Sequence, residues 1–185
     1  MIKINAEQLE KLEGIFANTP GQIPIVTARA INRAAEAAKT QASRSARDIY
    51  IIKHKGITDT IKIKKANSSN LNASVRSRGS KIDLIKFKVN PKKPQPKRKT
   101  PIVVTVKKGS KKPFKDGFVA ETSNGHINVF TRVSNKRLPI KGHYGPSVPQ
   151  MLGNESVVKH VEDRAYEVLD TRLEHEINRL LGGRS

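Results

Sequence analysis

The sequence predicts an α+β fold: an antiparallel sheet of about four strands between Ala73 and Arg132, flanked by a long N-terminal alanine-rich helix and a long C-terminal helix. Three observations predict it. Small residues recur at steps of three and four from Ile23 to Ala46, an apolar stripe descends one side of Glu155–Leu181, and the stretch between them alternates β-branched and polar residues around turn signals.

In chain order, residues 4–16 form a short amphipathic pattern with Ile4, Leu9, Leu12, Ile15 and Phe16 as its apolar set, broken at Thr19-Pro20-Gly21. Then Ile23, Val26, Ala30, Ala34, Ala37, Ala38, Ala42 and Ala46 line one face of a helix. Alanine buries little area but lets a neighbour approach closely, so this face predicts tight packing rather than chemistry. Arg29, Arg33, Lys39, Arg44 and Arg47 mark the outer face. The isoleucines of Asp48–Lys65 fit either a short helix after Gly56 or a strand over Thr60–Lys64; we favour a helix around 53–60 and an irregular entry to the sheet.

Asn67–Asn70 predicts a loop, and Ala73–Arg78, Ile82–Val89 and Ile102–Val106 predict strands. Within Ile82–Val89, Ile85, Phe87 and Val89 share an apolar face opposite Leu84, Lys86 and Lys88. Phe118–Thr122 and His126–Arg132 form a hairpin. A two-residue type I′ turn at Asn124-Gly125 pairs Ala120 with Val129, Thr122 with Ile127 and Phe118 with Thr131. Asn154 suits a helix cap before Glu155. The stripe that follows (Val157, Val161, Ala165, Leu169, Leu173, Ile177 and neighbours) fits packing across a sheet or a leucine-zipper pair.

Composition bounds the function. With 185 residues, the chain is long enough for one domain spanning 1–185, carrying a basic Pro-rich loop (90–101) and an extended arm (138–152). No apolar run reaches the roughly 20 residues of a membrane span, and the N-terminal residues lack the pattern of a signal peptide. Without cysteine there are no disulfides or thiolate metal sites, which fits synthesis in a reducing cytoplasm. The histidines at 54, 126, 143, 160 and 175 are scattered, acids do not cluster for a metal, and no glycine-rich phosphate loop is present. A structural turn is the reading of His143-Tyr144, and neither catalysis nor a cofactor is expected.

The net charge of +20 is uneven: residues 153–185 hold seven acids against five basic residues, while Arg78–Lys115 holds fourteen basic residues against Asp83 alone. Such a density calls for an acidic partner, either nucleic acid or an acidic protein surface. The candidate contacts are Lys92, Lys93, Lys97, Arg98 and Lys99 in the proline-rich loop and Lys107, Lys108, Lys111 and Lys112 in the next connection, two loops expected to converge. Ordinary solvation of the proline-rich loop is the competing reading. A second candidate surface is the arm, where Leu138, Ile140, Tyr144, Val148, Met151 and Leu152 lie on a backbone whose prolines are expected to block sheet pairing, leaving them to dock on a neighbouring subunit.

The block Gly117–Leu152, with its hydrophobe-Thr131-Arg132 hairpin end, Lys136-Arg137-Leu138-Pro139-Ile140 and Tyr144-Gly145-Pro146-Ser147-Val148-Pro149-Gln150-Met151-Leu152, resembles the prophage minor tail protein Z family of long-tailed bacteriophages. The similarity extends over about residues 21–181 and is weakest in the basic middle. It implies a non-enzymatic virion component made in the host cytoplasm. By the same resemblance the protein acts at the head-proximal end of the tail, in tail completion, head–tail joining and seating of the genome end. Implied partners are further copies in a hexameric ring, tail tube and tail terminator or connector proteins, and the DNA end. The alternative is a sequence-independent nucleic-acid-binding protein, which shares the charge but lacks clustered base-stacking aromatics. A hydrolytic toxin is disfavoured by the missing site.

Overall fold

The computed structural model describes residues 20–182; the helix expected over residues 4–16 lies outside them. The architecture is α+β as expected, with long helices towards both ends and antiparallel strands between. Among the described residues the strand content is spread over four small antiparallel sheets. The chain divides into two compact units. The first combines the described residues up to Ser45 with Ile61–Ser77 and the helix from Glu155; the second combines Ala46–Thr60 with Arg78–Asn154.

In the first unit a turn at Pro20–Gln22 leads into α1 (Ile23–Ile49), whose residues from Ala46 belong to the second unit. Pro24 is tolerated because the first helical turn has no partner for its missing N–H. Ala30 and Ala34 are buried against Leu169 and Leu173 of the C-terminal helix, with Ile23, Ile31 and Ile177 alongside. Small residues on one helix thus receive leucines from the other, the close approach that the alanine period predicts. The exposed stripe carries Arg29, Arg33, Arg44 and Arg47 as expected, while Lys39 is half-buried. Strands β1 (Ile61–Lys64) and β2 (Ser74–Ser77) pair antiparallel. The β reading of Thr60–Lys64 therefore holds for the part beyond the short helix α2 (His54–Thr58) of the second unit. The Asn32 carboxamide donates to the Ala66 carbonyl (2.9 Å) and accepts from the Ala66 N–H (2.7 Å), tying α1 to the connection between the strands.

The second unit holds β3 (Ile82–Asp83), β4 (Lys88–Asn90), β5 (Ile102–Thr105), β6 (Lys111–Phe114), β7 (Phe118–Glu121), β8 (Ile127–Arg132), β9 (Ile140–Gly142), β10 (Tyr144–Gly145) and the short helix α3 (Val148–Leu152). The pairings give a β4-β5-β6 sheet, a β7-β8-β9 sheet and a β3-β10 ribbon. Tyr50, Leu84, Phe87, Val89, Ile102, Val104, Val119, Val129 and Met151 form one core between them. The segment expected as one strand over Ile82–Val89 is interrupted by a 3-10 turn at Leu84–Lys86. That turn resets the alternation, so Leu84, expected on the basic face, is buried beside Phe87 and Val89. Gly145 lies against the Phe87 ring, where a Cβ would overlap it.

The hairpin forms, but one residue out of the expected register: Phe118 pairs with Phe130, Val119 with Val129, Ala120 with Asn128 and Glu121 with Ile127. A type I′ turn needs positive φ at both Asn124 and Gly125, and only Gly125 adopts it (φ 78°). Instead Thr122 accepts from the Gly125 N–H and donates its own N–H to His126, enclosing a three-residue loop, Ser123–Gly125. A one-residue shift exchanges the faces, so Asn128, expected on the polar side, becomes fully buried.

The last helix, α4 (Glu155–Gly182), starts where the Asn154-Glu155 signal places it. Its buried residues Val157, Ala165, Leu169 and Leu173 fall on one row of four-residue steps, with Val161 half-buried between them.

Candidate partner-contact surfaces

Two of the expected contact sets belong to the second unit's strand connections. The 91–101 loop joins β4 to β5 and is rooted by the buried Pro91; Lys92, Lys93, Lys97 and Lys99 are exposed. Among the described residues no ion pair holds these four lysines. Arg98 differs. Its Nε donates to the Thr100 carbonyl (2.9 Å), its Nη2 to the Pro101 carbonyl (3.2 Å), and its backbone N–H to the Gln95 carbonyl (3.2 Å). The guanidinium thus folds the loop on itself and leaves the lysines at its surface.

Lys107 and Lys108 lie in the β5–β6 connection. The Lys107 ammonium stands 5.6 Å from the centre of the Tyr50 ring, and the Lys108 N–H donates to the Ile49 carbonyl (2.8 Å), which fixes this turn on the end of α1. Lys111 and Lys112, expected in the loop, lie in β6, opposite Thr105 and Val104. β6 is an edge strand, which explains how it accommodates Pro113, and exposed edge lysines discourage another strand from adding on. The two basic loops do not leave the sheet together. One precedes β5 and the other follows it, so in an antiparallel meander their roots lie at opposite ends of a four-residue strand, roughly 10 Å apart.

The arm expected over 138–152 is built into the second unit. Ile140 is half-buried in β9, which pairs with β8; Tyr144 pairs with Asp83; Val148 and Met151 are 2% and 0% exposed in α3. Leu152 is half-buried. The prolines do not prevent this, because each falls where no N–H is needed: Pro139 precedes β9, Pro146 follows β10, and Pro149 sits in the first turn of α3. Ser147 and Gln150 close a capping box at that helix start. Only Leu138 (64%) and Tyr144 (54%) remain available as contacts. Sequence reasoning missed Val133, 63% exposed in the β8–β9 connection that also presents Leu138, Lys136 and Arg137. This connection is closed by Val133 N–H to the Pro139 carbonyl and by Arg132 Nη1 to the Arg137 carbonyl (2.8 Å). The available signal was an apolar residue stranded beside Ser134-Asn135.

A polar network runs through the same unit. The Asn128 amide donates to the His143 carbonyl (3.0 Å) and to Asp83 (3.4 Å), and its oxygen accepts from the Val129 and Ile85 N–H groups. Thr131 Oγ1 and His143 Nε2 are 2.8 Å apart. Burial, reinforced by the nearby Lys141 charge, lowers the His143 pKa. Asp83 also faces His126 (3.6 Å) and Lys86 (3.7 Å). Because Asn128 satisfies backbone groups of three segments, the network is a tie between strands. No group of three or more His, Cys, Asp or Glu suited to a metal occurs among the described residues. Nor is any helix among them long and apolar enough to cross a membrane.

A family model described as prophage minor tail protein Z (GPZ) matches residues 2–182. No curated protein and no solved structure matches the chain.

Proposed function

Since the chain belongs to the prophage minor tail protein Z family and is thereby a structural component of a phage tail, we propose that it acts at the head-proximal end of that tail, completing it for head–tail joining and for seating the genome end. In this reading it assembles as a ring of identical copies between tail tube and terminator or connector proteins. The exposed lysines of the 91–101 loop face the DNA end. The observation that carries the reading is the loop itself: Lys92, Lys93, Lys97 and Lys99 project from an Arg98-braced turn with no acid paired to them among the described residues. Unneutralised charge at this density gains most beside phosphate.

The test is binding to duplex DNA of unrelated sequences across a salt series. Affinity should fall with a log–log slope of about −0.9 per phosphate contact and show no base preference. Replacing Lys92, Lys93, Lys97 and Lys99 by Ser should flatten the slope and give complete-looking particles that inject poorly. Normal infectivity and genome positioning in that variant would sink the DNA role. Retained binding to an acidic tail protein would transfer the loop to that partner.

A further inference from the structure

The first unit carries a charged cleft that the tail reading does not use. Two adjoining hollows between α1 and α4, of about 540 and 560 Å³, share Arg33, Glu36 and Arg172 in their walls. The other charges there are matched: Arg29 meets Glu176 (3.6 Å), Lys65 meets Glu36 (3.6 Å) and Arg164 meets Glu167 (2.7 Å). Arg33 and Arg172 have no ion pair among the described residues. Two unmatched guanidiniums framed by carboxylates suit one or two separate carboxylates. A phosphate backbone would meet Glu36, Glu167 and Glu176 as it followed the cleft.

The complement is present on the same chain. Seven of its sixteen acids lie in residues 153–185. Glu162 and Asp163 are exposed on α4 with no ion pair among the described residues, beside Val158 (39% exposed) and Tyr166 (42%). At 100° per residue this strip lies roughly 150° round α4 from Arg164, Val168 and Arg172 on the cleft side. Cleft and strip therefore face away from each other and cannot meet within one molecule.

We propose that the acidic strip of α4 in one copy seats in the α1–α4 cleft of the next, with Glu162 and Asp163 meeting Arg33 and Arg172 and Tyr166 covering the contact. Exposed ion pairs alone contribute little, so the aromatic ring supplies the desolvated centre. Because the two faces differ, the contact is head-to-tail and propagates until a ring closes. This deepens the ring assembly proposed above and rests on it only for closure.

Light scattering of the full chain at roughly 0.05 and 0.5 M salt should show oligomers that weaken as salt rises. Arg33→Glu with Arg172→Glu, and separately Glu162→Lys with Asp163→Lys, should each weaken association by roughly a hundredfold with circular dichroism unchanged. Mixing the two variants leaves one good cleft and one good strip per pair, so dimers and nothing larger should form. Combining all four substitutions should restore the larger species, and Tyr166→Ala should weaken it. A wild-type chain that stays monomeric at both salts overturns the interface, as do reversed variants that associate like wild type or a cleft that captures only a foreign acidic peptide. Entry of the same proteins into tails, scored in parallel, separates the two ideas: a monomer that still enters tails removes the interface and leaves the tail role, whereas an oligomer that fails to enter does the reverse.

Discussion

The two units bury their interiors with opposite materials. In the first, α1 presents Ala30 and Ala34 to Leu169 and Leu173, so stability depends on short distance between two helices. In the second, Phe87, Leu84, Ile102, Met151 and a set of valines converge from two small sheets, the turn at Leu84–Lys86 and a short helix, so stability depends on filled volume. An alanine contact fails when something is added. A core of large side chains fails when something is removed.

The largest expected effect comes from emptying the second unit. Phe87→Ala should cost about 3–5 kcal/mol, and Met151→Ala about 2–5 kcal/mol, in denaturant unfolding. A Met151→Ala protein with unchanged stability would return α3 to the role of an external arm. Next, Ala34→Leu should cost about 1–3 kcal/mol by forcing α1 away from α4, while Arg44→Leu on the exposed stripe should be close to neutral. Equal melting shifts for the two would show that the alanine face is not a close contact.

The pH response tests the second unit alone. Folding holds the His143 pKa below 6.5, chiefly through burial, so the unfolded chain binds a proton that the folded ring resists. Its contribution is complete above 6.5 and lost progressively as pH falls through that value towards the lower folded pKa. Wild type should therefore lose stability on acidification between about pH 7 and 5, and His143→Gln should lose less. Parallel melting curves for the two would remove His143 as the source. The smallest effect is a gain. Thr27 is fully buried in α1 and its hydroxyl has no partner among the described residues. Thr27→Val should stabilise by about 1 kcal/mol, and a loss of stability would reveal a hydrogen bond to that hydroxyl.

The long helices, their arginine-bearing outer face and the start of α4 were legible in the sequence because each is set by residues within a few positions of one another. Alanine spacing and the Asn154-Glu155 junction act over a turn or two of backbone. The position of the hairpin turn was legible too, but its type and register were not. Asn124-Gly125 permits both a two-residue and a three-residue loop, and the shape chosen decides whether Asn128 faces water or joins Ile85, Val129 and His143 in a buried network.

The charged loop was visible as composition, yet Arg98 bracing it and the opposite placement of the two basic connections depend on β5 running between them. The arm was misjudged for the same reason. Proline spacing shows where N–H groups are missing, but whether the remaining ones pair depends on strands β3 and β8, which reach the arm in the pairs Tyr144–Asp83, 61 residues apart, and Lys141–Thr131, 10 residues apart. Local sequence thus determined the helices, the turns and the charge. Only tertiary pairing decided which apolar side chains were consumed in the core and which, such as Leu138, Tyr144 and Tyr166, stayed exposed, because burial is a property of what arrives on the other side.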